Sequence, residues 1–319
     1  MLYSSYEEIK WIGNTPLGML VRRISFIAPH AHENTIEITL CLDGSITFDY
    51  CFEEFRLKKG EFILVDRDTH YMHSGDNALC VSFYFDLLKM SGDFEGICNQ
   101  MFICEGTSDS EYRYNTPEHR ELKGMLIAIL DYMLKDSEEP SDVDEDITRV
   151  ANRIIGLIYT SFDVTRYRNK DNSLSDKTLR RMKKIVAYVF VHRTEKITLK
   201  DVADLVDISP EYLSLFLSNY AIGFEQLLGY IRSWHAERLL LTTDMSIAEV
   251  SEESGFSATK YMYGAFDFWY KCTPGEYRVK YRREMEKGDE FEEADIKDIE
   301  DEIIKITNEQ LIFMYIKGD

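Results

Sequence analysis

The chain has 319 residues, 45% of them hydrophobic, which is enough apolar material for two cores and too much for one domain of ordinary size. Twenty Tyr and 18 Phe against six Pro argue for folded structure, while a formal net charge of −20 is the wrong overall sign for a polyphosphate partner, so any nucleic-acid contact must rest on local cations. The N-terminus has no basic segment leading into an apolar one, no apolar run spans a bilayer, and the six cysteines form no CxxC pair, which predicts a reduced, cytoplasmic protein with no membrane segment and no cysteine-based metal site.

From Ile24 to Asp86, short β-favouring runs alternate with turn residues: 36–42, then Asp43-Gly44, then 45–51, with further strands at 61–65 and 79–85. This spacing indicates an antiparallel barrel or sandwich. Helical period follows. Leu122, Met125, Leu126, Ile129, Leu130 and Met133 share one face, and Ile147, Val150, Ala151, Ile154, Ile155 and Ile158 share another. The polar stretch 135–145 connects these two helices, whose apolar faces serve either as core against the barrel or as a dimer surface. Residues 168–176, rich in Asn, Asp, Lys and Ser, read as an interdomain linker.

The next helix, from Asp176 to Arg193, carries Lys177, Arg180, Arg181, Lys183 and Lys184, the strongest basic cluster in the chain. They fit a solvated face or a set of phosphate contacts. Two similar units then follow, each a short helix, a tight turn and a second helix, with Ser209 before Pro210 and Ser257 before Ala258 as the caps of the second helices. In the first unit Val202, Ala203, Leu205 and Val206 are expected to bury against Leu213, Phe216 and Leu217. In the second, Ile247, Ala248 and Val250 are expected to bury against Tyr261, Met262 and Phe266. A long helix, Phe224–Thr242, sets the distance between the units. Two such units on one side of a duplex would meet successive major grooves about 34 Å apart.

Ile231-Arg232, Ala236-Glu237-Arg238-Leu239-Leu240, Ser246-Ile247-Ala248-Glu249-Val250, Ser254-Gly255-Phe256-Ser257, Tyr261, Phe266 and Thr273-Pro274-Gly275-Glu276-Tyr277-Arg278 resemble the C-terminal signature of the AraC/XylS regulators, without a gap over roughly residues 197–283. The resemblance implies a seven-helix DNA-binding domain with two recognition helices, usually on a dimer controlled by a small effector. Toward the N-terminus, His30-Ala31-His32, Glu37, Gly44, Gly60 and His70 are similar to cupin motifs found in the sensor domains of that family. The fold expected is therefore α+β: a cupin-like antiparallel barrel at 1–115, a helical pair at 116–168, an all-α double helix-turn-helix domain at 169–283, and an acidic tail at 284–319.

Two histidines separated by one residue on a strand point the same way, so His30, His32, Glu37 and His70 are expected to converge. The second motif, Asp66-Arg67-Asp68-Thr69-His70, lacks the Pro and Gly of the cupin pattern, and the four residues are expected to form a metal-free effector pocket, for a sugar for instance, or the polar mouth of the barrel, with a site for a divalent ion as the lesser alternative. No other cofactor is expected. The recognition helices also depart from the family: Leu215, Leu217 and Asn219, then Gly264, Asp267 and Phe268, stand where basic residues are usual, and Lys271 replaces a Gly. Base reading would fall to Glu211, Tyr212, Ser214 and Ser218, then Thr259, Lys260 and Tyr263, anchored by Arg180, Arg181, Lys183, Lys184 and Arg232.

The expected function is a sequence-specific regulator that binds a double-stranded operator as a homodimer. The alternative is a degenerate scaffold that no longer binds DNA and serves as a protein-interaction module, which suits the acidic tail with its spaced Ile296, Ile299, Ile303 and Ile306 and its apolar run at 311–316. An enzyme is not expected, since beyond the histidine set no nucleophile or acid/base pair stands in a defined motif.

Overall fold

A computed structural model describes residues 9–50, 53–90, 92–108, 115–135, 143–163, 174–220 and 222–317. The connection at 135–145 and the linker at 168–176 lie mostly outside the described residues, as does Cys51.

The N-terminal part is built on eight antiparallel strands in one sheet: β1 Leu17–His30, β2 Thr35–Asp43, β3 Ser45–Tyr50, β4 Glu53–Lys58, β5 Phe62–Val65, β6 His70–Asp86, β7 Cys104–Gly106 and β8 Glu290–Glu293. β6 is the spine. Its first residues pair with β3, from His70 against Tyr50 to His73 against Thr47, while its last eight residues pair with β2, from Leu79 against Asp43 to Asp86 against Thr35. β1 runs along its other edge for most of its length. The polar stretch Ser74–Asn77, exposed from Gly75 onward and with Asn77 at φ +53°, lies between the two pairings, and a strand that changes partner midway curls the sheet into a half-barrel. At the β2–β3 hairpin Gly44 sits at φ +77°, where a side chain would be strained and would meet Ala78.

The two amphipathic helices are α1 Pro117–Lys135 and α2 Val143–Ser161. Their apolar faces, Leu122, Leu126, Ile129 and Leu130 on one and Ile147, Ala151, Ile154, Ile155 and Ile158 on the other, bury into one core with Ile36, Ile38, Phe83 and Phe85 of the sheet. The C-terminal acidic stretch folds back onto the same body. β8 pairs with the outer edge of β1, Arg22 opposite Glu293 and Phe26 opposite Glu290, and α10, Glu300–Lys317, lies on α1 with Ile299, Ile303 and Ile306 in the shared core. Ile296 is half-buried against it, while the side chains of the run at 311–316 lie outside the described residues. Lys10 bonds Glu293 and Arg23 faces Glu302 at 3.9 Å, so basic residues of the sheet neighbourhood answer the acidic segment.

The C-terminal helical part contains α3 Asp176–Val191, α4 Leu199–Leu205, α5 Pro210–Tyr220, α6 Phe224–Thr242, α7 Ile247–Glu253, α8 Thr259–Tyr270 and α9 Pro274–Met285. Capping boxes start three of them: Thr198 with Asp201 on α4, Ser246 with Glu249 on α7, and Thr273 with Glu276 on α9, where Pro274 takes the first turn. Ser209 caps α5, its hydroxyl accepting from the Tyr212 N–H at 3.2 Å. Ser257 does not cap α8. The helix begins one residue later, with an extended Ala258 at its N-cap and no side-chain cap. In the turn of the second unit Gly255 has φ +83°, and a Cβ there would lie 2.6 Å from the Arg193 carbonyl, so only glycine fits. Asp207, at φ +53°, takes the corresponding turn in the first unit.

Candidate functional site

In α4–turn–α5, Val202, Ala203, Leu213, Phe216 and Leu217 form the buried contact, packed on Ile185, Val189 and Leu227. Leu217 is core rather than a surface position that has lost a cation, because it lies on the inward face with Leu213. In α7–turn–α8, Val250, Met262 and Phe266 bury against Leu240 and Tyr277, but Ala248 is exposed and Tyr261 is 55% exposed, since both fall on the outer faces of their helices. The outward surface of α5 presents Glu211, Tyr212, Ser214, Leu215, Ser218 and Asn219, with the Ser218 hydroxyl donating back to the Ser214 carbonyl. That of α8 presents Lys260, Tyr261, Tyr263, Gly264, Asp267 and Phe268, with Thr259 half-buried at its start.

The cations named from the sequence do not all stay on this surface. Lys183 donates to the Tyr159 carbonyl at 2.6 Å and lies over that ring, tying α3 to α2. Lys184 donates to the Leu205 carbonyl at 2.8 Å. Arg232 donates to the carbonyls of Arg193 and Glu195, holding the α3–α4 loop on α6. Arg181 lies over the Phe216 ring behind α5, whereas Arg180 and Lys260 are exposed. Arg232 and Lys260 also line a groove of about 650 Å³ between α6 and α8.

The second assembly lies at one end of the barrel. His30 ends β1, His32 follows on the loop, Glu37 lies on β2 and His70 opens β6, and none of the four side chains is more than 4% exposed. All three Nε2 atoms approach the same oxygen, Glu37 Oε2: His30 and His32 at 3.3 Å, His70 at 3.2 Å. The other oxygen, Oε1, accepts from Thr39 at 3.0 Å and lies 4.0 Å from the fully buried Arg22, which donates to Ser82 and Tyr84. Burial alone would raise the Glu37 carboxyl, but the three imidazoles hold it well below its ordinary value. Burial, with His30 beside it, holds the His70 imidazole below its ordinary value, while the Glu37 carboxylate pulls it back up in part.

The loop that ends in His70 is also where the two halves of the chain meet, and this the sequence did not indicate. The Arg67 guanidinium donates to the carbonyls of Gln100 and Cys98, while the Arg67 carbonyl accepts from Trp234 Nε1 at 3.1 Å. Asp68 accepts from Tyr230 at 2.9 Å and Tyr50 at 3.2 Å. The Thr69 N–H and hydroxyl both donate to Glu237 Oε1, whose partner oxygen accepts from Tyr277. Arg238 donates to the His32 carbonyl at 2.8 Å. Tyr230, Trp234, Glu237 and Arg238 all lie on α6, the helix between the two helix-turn-helix units. Their spacing of three or four residues was a readable stripe, but its partner was not, because the bonded residues are far apart in sequence.

A model of the helix-turn-helix domain family matches residues 202–280. The regulatory protein PocR of Salmonella typhimurium is 36% identical over 118 residues, which are 34% of this chain and 39% of PocR. The melibiose operon regulatory protein of Escherichia coli is 23% identical over 294 residues, 87% of this chain and 89% of that protein. Among solved structures, ToxT from Vibrio cholerae O395 is similar at 16% identity and a TM-score of 0.43, over 83% of this chain and 97% of ToxT. The matched region thus spans well under half of PocR. Among the described residues no helix is long and apolar enough to cross a membrane. In its C-terminal part, residues 202–280, the chain carries a helix-turn-helix domain and is similar there to regulators of the AraC/XylS type.

Proposed function

We propose that the chain is a sequence-specific DNA-binding transcription regulator, acting in the cytoplasm as a homodimer, in which a small effector held at the His30, His32, Glu37 and His70 cluster governs how α5 and α8 meet a double-stranded operator. The observation that carries this reading is the attachment of α6 to the cluster: Arg238 holds the carbonyl of His32, and Glu237 holds Thr69, the neighbour of His70. A change at the cluster therefore acts on the element that separates the two recognition helices. Base reading falls to Tyr212, Ser214 and Ser218 on α5 and to Thr259, Lys260 and Tyr263 on α8, with Glu211 beside them and Arg180 and Arg181 as phosphate anchors.

A second reading, a protein-interaction module, is favoured by one observation. Tyr212, Leu215, Tyr261, Tyr263 and Phe268 expose large apolar surface on the two recognition helices. The two separate on one experiment: recovery of bound genomic fragments by the purified chain, followed by shift assays on those fragments at two salt concentrations. Enrichment of directly repeated sites with affinity that falls as salt rises supports the regulator. Recovery of no enriched sequence and no salt-dependent shift, with and without cell extract as a source of effector, leaves the interaction module.

A further inference from the structure

We propose that a cavity between β5, α1 and the C-terminal helix α10 is a binding site for a small hydroxy acid, whose carboxylate sits on the Lys123 ammonium. The cavity shares no residue with the histidine cluster and does not rest on the functional reading above. It measures about 290 Å³ and is lined by residues 59–62 at the start of β5, Gly106 at the end of β7, Arg120 and Lys123 on α1, and Glu309 and Gln310 on α10. That size lies at the small end of the range for small-molecule sites.

Lys123 is the residue that calls for an anion. Its side chain is half-buried, and burial holds its ammonium below the usual lysine value. A desolvated ammonium is costly without an acceptor, and among the described residues no oxygen accepts a hydrogen bond from it. The two carboxylates nearby are engaged elsewhere. Glu61 accepts from the Lys58 N–H at 2.9 Å and the Ser108 N–H at 3.0 Å, while Glu309 accepts from Lys59 at 3.3 Å. Gly60, at φ +79°, leaves room for the ammonium, since a Cβ there would lie 3.1 Å from Lys123 Nζ.

Charge selects a carboxylate over a phosphate. Lys59, Arg120 and Lys123 share the lining with Glu61 and Glu309, which leaves one net positive charge; a carboxylate balances it, and a phosphate dianion would meet two carboxylates in excess. Hydroxyl groups suit the side made by α10. Glu309 binds Lys59 through Oε1 and keeps Oε2 as an acceptor among the described residues, and the Gln310 amide, whose nitrogen donates to the Arg120 carbonyl, keeps its oxygen as another. A ligand here bridges α1 to α10. Because α10 follows β8, and β8 follows α9, occupancy fastens the segment that leads out of the helix-turn-helix part.

The test uses the full chain, dialysed free of organic acids, in calorimetric titrations with gluconate and glycerate, with sorbitol as the neutral counterpart and inorganic phosphate as the dianion. Saturable binding of at least one acid at one per chain, no binding of sorbitol and weaker binding of phosphate are expected. Lys123→Met should weaken the acid more than about tenfold, while Lys305→Met, exposed on α10, should leave it unchanged. With acid bound, amide hydrogen exchange in α10 should slow. In the unliganded chain Lys123→Met should melt higher than the parent, because an ammonium desolvated for a ligand destabilises the empty site. A lower melting temperature would make Lys123 a structural residue and overturn the assignment. It is overturned equally if neither acid binds, if phosphate binds more tightly than both, if binding survives Lys123→Met, or if exchange in α10 does not change.

Discussion

Lys271 closes α8 at φ +53°, a backbone conformation in which an L side chain is strained and glycine is not. Its ammonium donates to the Phe268 carbonyl, which recovers part of the cost. Lys271→Gly should therefore stabilise the chain by about 0.5–1 kcal/mol, read as a raised denaturant midpoint at unchanged slope. Glu237 gives a second prediction. Burial raises its carboxyl to about 8, the Asp68 charge adds to this, and Thr69, Tyr277 and Arg238 pull it back only in part. The folded chain keeps a proton there that the unfolded chain loses near 4.5, so this group's stabilisation is complete below about pH 4.5 and is lost as the pH climbs toward 8. Melting curves across this range should show Glu237→Gln gaining on the parent chain as pH rises, and a constant difference would contradict the assignment. Of these residues, the sequence singled out Lys271 by its type alone. Glu237 stood inside a family signature, but its buried partners come from the barrel, and no local pattern records them.

The strands β2, β3 and β5, the second half of β6 and the helices α1, α2 and α6 were legible because each keeps one period or one apolar run between turn residues. β1 was not. Its run Leu17–His30 carries Arg22 and Arg23 in the middle, and the fully buried Arg22 is accommodated by partners on β2 and β6. β8 was missed for the opposite reason: four residues with three acids have no strand signature, and only the open edge of β1 makes them one. The isoleucine spacing in the C-terminal segment was readable, but whether it faced solvent, a partner or the chain itself was decided by the groove beside α1. Removing that packing should be costly. Ile303→Ala, at a position 1% exposed, should lose about 2–5 kcal/mol, whereas Ile304→Ala, one residue on and 48% exposed, should stay within about 0.5 kcal/mol in thermal unfolding.

At the scale of the molecule, a barrel and a double helix-turn-helix unit are joined along α6, so the module that would read DNA is not an appendage on a tether. The histidine cluster was legible as a set that should converge; its link to α6 was not. The charge of −20 and the engagement of Lys183, Lys184 and Arg232 with backbone carbonyls of the fold leave few cations for phosphates, and the proposed readers are mainly tyrosine and hydroxyl side chains. Tyr263→Ala should accordingly lower affinity for a recovered site by about 1–3 kcal/mol with no loss of stability, because the ring is 42% exposed. The most direct test of the whole account is the phasing of the site. Binding of the full chain to a duplex bearing two half-sites one helical turn apart is compared with binding to the same duplex after insertion of about five base pairs, half a turn, between them. Two recognition helices fixed by one connecting helix predict that the insertion reduces binding to the non-specific level; equal affinity for the two duplexes would contradict it.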